Sequence, residues 1–178
     1  TGPDSASGTI VDGDYKYHVF TATKVGSAGF VISNVGSEAG SNTVEFLVIA
    51  GGGAGGGSYY AGGGGAGGYR ASWNNESSGG ATSSLDAIVP SGGIGNYTIT
   101  VGGGGVGISE HHTYGGDGSD STFDTITSDG GGAGGLIGSG KAEGKDGGSG
   151  GGGSGSGYDQ PNDGGTATPN QGSNGGTQ

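Results

Sequence analysis

The residues that could do chemistry in this chain are few, and most lie in or beside runs of glycine. Gly135-Leu136-Ile137-Gly138-Ser139-Gly140-Lys141-Ala142 nearly spells the GxxxxGK[ST] loop that cradles phosphates. It has Ala142 where a Ser or Thr would hold magnesium, and Glu143-Gly144-Lys145-Asp146-Gly147 cannot sustain the helix that should follow. In so glycine-rich a chain, no nucleotide-binding expectation follows. Gly115-Gly116-Asp117-Gly118-Ser119-Asp120-Ser121-Thr122-Phe123 is similar to one calcium-binding nonapeptide repeat. Asp117, Asp120 and Asp124, with backbone carbonyls, are the candidate Ca²⁺ ligands. The competing reading is a solvated acidic turn, since no tandem copy follows to complete the oxygen shell. Beyond this Ca²⁺, no cofactor is expected.

Glu110-His111-His112 offers three ligands in a row, but neighbours in an extended segment point to opposite sides. At most two share a metal, and an exposed polar loop is the plainer reading. His18 falls inside a strand pattern and reads as a packed or edge histidine. No Ser/His/Asp set or carboxylate pair has a catalytic context, so a non-enzyme is expected. The aromatics are more suggestive. Tyr59 and Tyr60 interrupt one glycine segment, Tyr69, Arg70 and Trp73 follow another, and Tyr114 interrupts a later one. Such residues at the tips of rigid segments stack on sugars or fill a partner's pocket, because Tyr, Trp and Arg dominate interface hot spots. The alternative is that they cap bundle ends or pack between subunits.

The elements that must hold these residues are set by composition. Of 178 residues, 53 are glycine; there is no cysteine, and the formal net charge is -11. The absence of cysteine excludes a disulfide framework, a thiolate zinc site and a thiol nucleophile. Acidity argues against nucleic acid, which needs a Lys/Arg surface. The longest apolar stretch, residues 46–50, is far short of the roughly 20 residues of a membrane span, so no membrane insertion is expected. Residues 1–50 hold only 7 glycines but 14 of the 26 Leu, Ile, Val and Phe residues. The chain therefore divides into an N-terminal β-strand region (1–50), a strand and polyglycine core (51–137) and a glycine-rich C-terminal segment (138–178), with one continuous domain as the alternative.

Strand signals, β-branched and aromatic, fall at 14–23, 29–33, 43–50, 96–101 and 121–127. Within 43–50, Val44, Phe46 and Val48 share one face and Leu47 and Ile49 the other, which suggests a strand covered on both faces near its C-terminal end. Residues 83–89 read as one helical turn or a short strand. Three strands run directly into glycine runs, at 51–57, 102–105 and 130–135. Such runs are either flexible linkers or three-residue-per-turn helices of the polyproline II type. Without side chains, neighbouring helices of that type approach closely and pair their backbone groups, replacing an apolar core. The expected fold is all-β: a small antiparallel β-domain whose strands run into a bundle or sandwich of polyglycine helices, with essentially no α-helix. Acidic residues in the runs (Asp117, Asp129, Asp146) are expected at turns or outer faces.

Five stretches carry a resemblance. Tyr17-His18-Val19-Phe20-Thr21, Val44-Glu45-Phe46-Leu47-Val48-Ile49-Ala50-Gly51-Gly52-Gly53, Gly62-Gly63-Gly64-Gly65-Ala66-Gly67-Gly68-Tyr69-Arg70, Tyr97-Thr98-Ile99-Thr100-Val101-Gly102-Gly103-Gly104 and Ser121-Thr122-Phe123 resemble glycine-rich domains of bacteriophage tail-fibre and other virion-surface proteins. The similarity covers roughly residues 15–135. A weaker, compositional likeness links the chain to tail-fibre-tip adhesins, in which stacked polyglycine helices form a sandwich and end loops bind host receptors. The resemblance implies a virion-surface or extracellular attachment module. Its partners would be a host receptor (glycan or outer-membrane protein) and other virion or filament subunits, in a trimer or repeating assembly. The alternative role is a self-associating structural subunit of a capsid decoration or filament, with no receptor site.

Overall fold

A computed structural model describes residues 8–13, 15–34, 43–57, 59–72, 76–81, 93–109, 113–137, 142–155 and 162–177. Strands β1 (Gly8–Asp12) and β2 (Tyr15–Val19) form an antiparallel hairpin turning at Gly13, where φ is 58°. Two further antiparallel pairs join β3 (Phe30–Ile32) to β6 (Gly95–Tyr97) and β4 (Leu47–Ile49) to β5 (Tyr69–Ala71). The last sheet is three-stranded: β7 (Ile99–Thr100), β8 (Ser121–Phe123) and β9 (Ile126–Ser128). Short 3-10 turns occupy 26–28 and 79–81, and the described residues include no α-helix. The fold is all-β with small antiparallel sheets.

Phe46, Val48, Tyr97, Ile99, Phe123 and Ile126 form the apolar core of the sheet end. The Phe123 ring meets Phe30 and Tyr97 edge-on at centroid distances of 5.6 and 6.4 Å. Two strand expectations are corrected. The stretch 121–127 is a hairpin, because Asp124 takes φ 51° and turns the chain between β8 and β9. The strand at 43–50 is covered on one face only: Val48 is buried, but Leu47 and Ile49 are 54% and 52% exposed. β4 belongs to a two-stranded sheet, and only its Val48 face meets β8 and β9. The stretch 83–89 lies outside the described residues.

The glycine runs are ordered rods. The N–H groups of Ala50, Gly53 and Gly56 donate to the carbonyls of Gly68, Gly65 and Gly62, so two antiparallel segments meet at every third residue. The same step joins Gly62, Gly65 and Gly68 to Gly135, Gly132 and Asp129, and Gly51, Ala54 and Gly57 to Ser119, Gly116 and Thr113. A three-residue repeat whose bonds all run between segments is the geometry of polyproline II helices. Of the described glycines, only Gly13, Gly26, Gly80 and Gly93 have positive φ, so the runs keep the left-handed sense of that helix.

Directions follow from the sheets. Segments 51–57, 102–107, 130–136, 149–155 and 172–177 run away from the strands, and 62–68, 113–119, 142–148 and 162–168 run back. At roughly 3.1 Å per residue, each rod is about 20 Å long. The rods after residue 138 belong to the same lattice, since Gly132 and Gly135 donate to Ser149 and Gly152.

Segment 130–136 is the axis, and every residue in it is buried. Its threefold rows explain its sequence. Gly131 and Gly134 face segment 62–68, where an added methyl would lie 2.2 and 1.9 Å from the carbonyl oxygens of Gly65 and Gly62. Gly132 faces Lys145 O at 1.9 Å in the same sense. Only the row 130, 133, 136 carries side chains, and Ala133 and Leu136 are fully buried there. On the outer rods the pattern inverts: Ala66 and Val106 are exposed and share rows with Gly63 and Gly103, around which nothing lies within 4 Å.

Candidate interaction site at the tip of the glycine bundle

Because the rods alternate in direction, their described ends gather at two opposite ends. One end is the sheets. The other is a distal tip, where the turn at 57–61 carries Tyr59 and Tyr60, 76% and 75% exposed. Tyr60 has φ 57°, a left-handed conformation common for glycine and enriched in Asn and Asp but rare for a bulky residue. The Tyr60 carbonyl accepts Gly155 N–H at 2.7 Å, which ties this turn to the end of segment 149–155. Tyr114 lies at the same end, near the start of 113–119, and its hydroxyl donates to Glu143 O at 3.1 Å. Lys145 Nζ lies 5.1 Å from the Tyr114 ring centroid and 3.0 Å from Asp117 Oδ2. Burial and then the Glu143 carboxylate hold the Tyr114 hydroxyl above its ordinary pKa of 10.0.

Tyr69 and Arg70 do not join this tip. They lie on β5 at the sheet end, because segment 62–68 runs back from the tip before reaching them. The Tyr69 hydroxyl donates to the Glu76 carboxylate, a bond that raises its pKa, with burial and the Glu76 charge adding to the rise. Arg70 Nη1 donates to Thr127 O at 3.0 Å. Trp73, Glu110, His111, His112 and Lys141 lie outside the described residues.

Asp117, Asp120 and Asp124 are not gathered into a ligand set; among the described residues no group of three or more His, Asp or Glu stands in metal-binding range. Asp117 and Asp120 lie on or beside the straight rod 113–119, not on a turn. Their Oδ1 atoms accept the N–H groups of Ala133 and Gly130 at 2.9 and 2.8 Å. Asp124 turns the β8–β9 hairpin. Elsewhere too, polar side chains serve as acceptors for rod amides. Asp146 takes Thr166 N–H at 2.6 Å, Asn174 takes Ala167 N–H at 2.8 Å, and Gln171 takes Asp129 N–H at 2.7 Å. The sequence signal for this role is an Asp or Asn within or beside a glycine run.

Residues 28–178 match the family described as the glycine-rich domain. The chain belongs to that family. No curated protein and no solved structure matches it. In this glycine-rich domain the tip combines a rigid backbone scaffold with exposed aromatic side chains, an arrangement suited to contact and display.

Proposed function

We propose that this glycine-rich domain is a non-enzymatic attachment module of a phage tail fibre or other virion surface. Its tip would meet a host-surface glycan or outer-membrane protein. The observation that carries the reading is the pair Tyr59 and Tyr60, exposed at the end of rods fixed by backbone pairing. Rigid aromatics lose little conformational freedom on binding and so supply affinity efficiently. The strained φ of Tyr60 points the same way, since such conformations cost about 1–3 kcal/mol and cluster at functional sites.

The resemblance supplies the virion setting, and assembly as a trimer or repeating array belongs to the same proposal. A specific observation supports the second reading, a self-associating structural subunit: one face of the β1–β2 hairpin exposes Ile10, Tyr15, Tyr17 and Val19. The test is binding of the isolated chain to host cells and to arrayed glycans. Changing Tyr59 and Tyr60 together to Ala is expected to reduce binding at least about tenfold without unfolding. Unchanged binding would sink the tip proposal. Hundreds of copies along a shell or filament in particle images would favour the structural subunit.

A further inference from the structure

Segment 149–155 is enclosed on every side but one. Ser149 and Gly152 donate to Ala66 and Gly63, and Gly150 and Gly153 donate to Ser173 and Gly176. Segment 130–136 donates to it, Gly151 donates to Lys145, and Gly165 donates to Gly151. Equal rods pack six around one, so the side between 62–68 and 172–177 is a lattice position without a described rod. That position is an open groove of about 450 Å³, lined by Tyr60, Gly63, Gly152, Gly153, Gly176 and Thr177 among others.

Gly152 is the floor of the groove. A methyl added there would lie 3.6 Å from Gly63 N, 3.7 Å from Gly63 O and 4.0 Å from Gly176 O. The same methyl on an occupied face meets a carbonyl far sooner, 1.9 Å for Gly153 against Asn162 O and 1.9 Å for Gly62 against Gly152 O. Added methyls on Gly63 and Gly176, the two walls, would meet nothing within 4 Å. The N–H groups of Gly63 and Gly176 donate to no acceptor among the described residues. The axial rod treats its own incomplete side differently: there Asp117 takes Ala133 N–H and Lys145 reaches over Tyr114 to Asp117. No comparable side chain lies along the groove, where Tyr60 stands at the rim and Ala61 and Thr177 complete the lining.

We propose that this groove receives an extended, glycine-rich segment of another protein chain, in polyproline II conformation, which docks as the missing rod. The wall has the chemistry that holds every internal rod: bare backbone, free amides and room for a backbone without Cβ atoms. A saccharide would require a set of side-chain donors and acceptors that the wall lacks. The chain's net charge of -11 favours a segment flanked by cations. One short rod against three buries far less than about 1,000 Å², so the contact is weak singly and gains from repetition along an assembly.

The probe is a fluorescent peptide copying residues 62–68, GGGGAGG, with lysines at both ends, titrated by anisotropy into the full chain. Saturable binding is expected. Gly63→Val and Gly176→Val are each expected to weaken it at least about tenfold while the melting temperature holds, because their side chains enter empty space. A peptide with valine at alternate glycines is expected not to bind. Absence of binding at millimolar peptide, or equal binding by Gly63→Val, would overturn the proposal. Uptake of neutral oligosaccharides instead, abolished by Gly63→Val, would overturn it in favour of a sugar subsite. Tyr60 stands at the groove rim as well as at the tip, so Tyr59→Ala alone, outside the groove lining, keeps the receptor test distinct from this one.

Discussion

Asp117 Oδ1 accepts the N–H of Ala133 at 2.9 Å, supplying an amide of the axial rod with the acceptor that no backbone carbonyl provides. Asp120 does the same for Gly130, and both pairs are three residues apart, the repeat of the rods themselves. An acidic side chain here stands in for a backbone carbonyl as acceptor. Its second oxygen meets Lys145 Nζ at 3.0 Å in a pair that is roughly half exposed.

The two contacts should therefore differ in worth. Asp117→Ala leaves the N–H of fully buried Ala133 without an acceptor, at a cost of about 1–3 kcal/mol. Lys145→Met removes a partly exposed ion pair, worth less than about 1 kcal/mol. Urea denaturation of both variants checks the order. Equal losses would mean that the ion pair, and not the amide, holds the rods together.

Glycine is required row by row, not everywhere. Gly134→Ala forces a methyl to 1.9 Å from Gly62 O inside the buried rod and is expected to cost at least about 1–3 kcal/mol. Gly103→Ala meets nothing within 4 Å and restricts the unfolded chain, so stability should hold or rise by about 0.4–1 kcal/mol. Thermal melts of the pair decide it. A destabilising Gly103→Ala would contradict the open-row assignment.

Leu136 is the largest fully buried side chain in the molecule's described part, far from the apolar core of the sheets. Leu136→Ala is expected to cost about 2–5 kcal/mol. Val106, 75% exposed on an outer row, should tolerate Ser within about 0.5 kcal/mol. Chemical denaturation midpoints compare them. Similar midpoints would show that the bundle lacks a close-packed axis.

Alkaline pH should loosen the fold through tyrosines. Burial raises the pKa of Tyr114 above 10.0, with the Glu143 carboxylate adding to it. For Tyr69 the bond to Glu76 is the main cause. An acid whose folded pKa is raised stabilises the fold fully below its unfolded value, and the contribution is lost as pH climbs through the folded value. Melting temperature should therefore fall above about pH 10. Tyr114→Phe, which keeps the ring beside Lys145, should flatten part of that fall. An unchanged alkaline slope in both Tyr114→Phe and Tyr69→Phe would place the loss elsewhere.

Much of the architecture is local enough to be read from residues alone. β-branched and aromatic runs at 15–19, 30–32 and 47–49 mark strands because such side chains suit a pleated, half-buried surface. Glycine runs with scattered Ala and no proline mark rods, since only a bare backbone lets neighbouring rods exchange hydrogen bonds directly. Asp124 escaped that reading because its turn depends on one left-handed residue inside a stretch of strand formers.

By itself the sequence determined the all-β class, the conversion of strands into glycine rods and the absence of any cysteine chemistry. The tertiary structure alone decided which row of each rod faces inward, because that depends on carbonyls contributed from far along the chain, as with Gly134 against Gly62. It also separated Tyr59, Tyr60 and Tyr114 from Tyr69 and Arg70. Tyr59 and Tyr60 are close in sequence to Tyr69 and Arg70, yet a rod of about 20 Å lies between the turn carrying the first pair and β5. Spacing along the chain carries the repeat of three, but which end a residue reaches is set by the direction in which its rod runs.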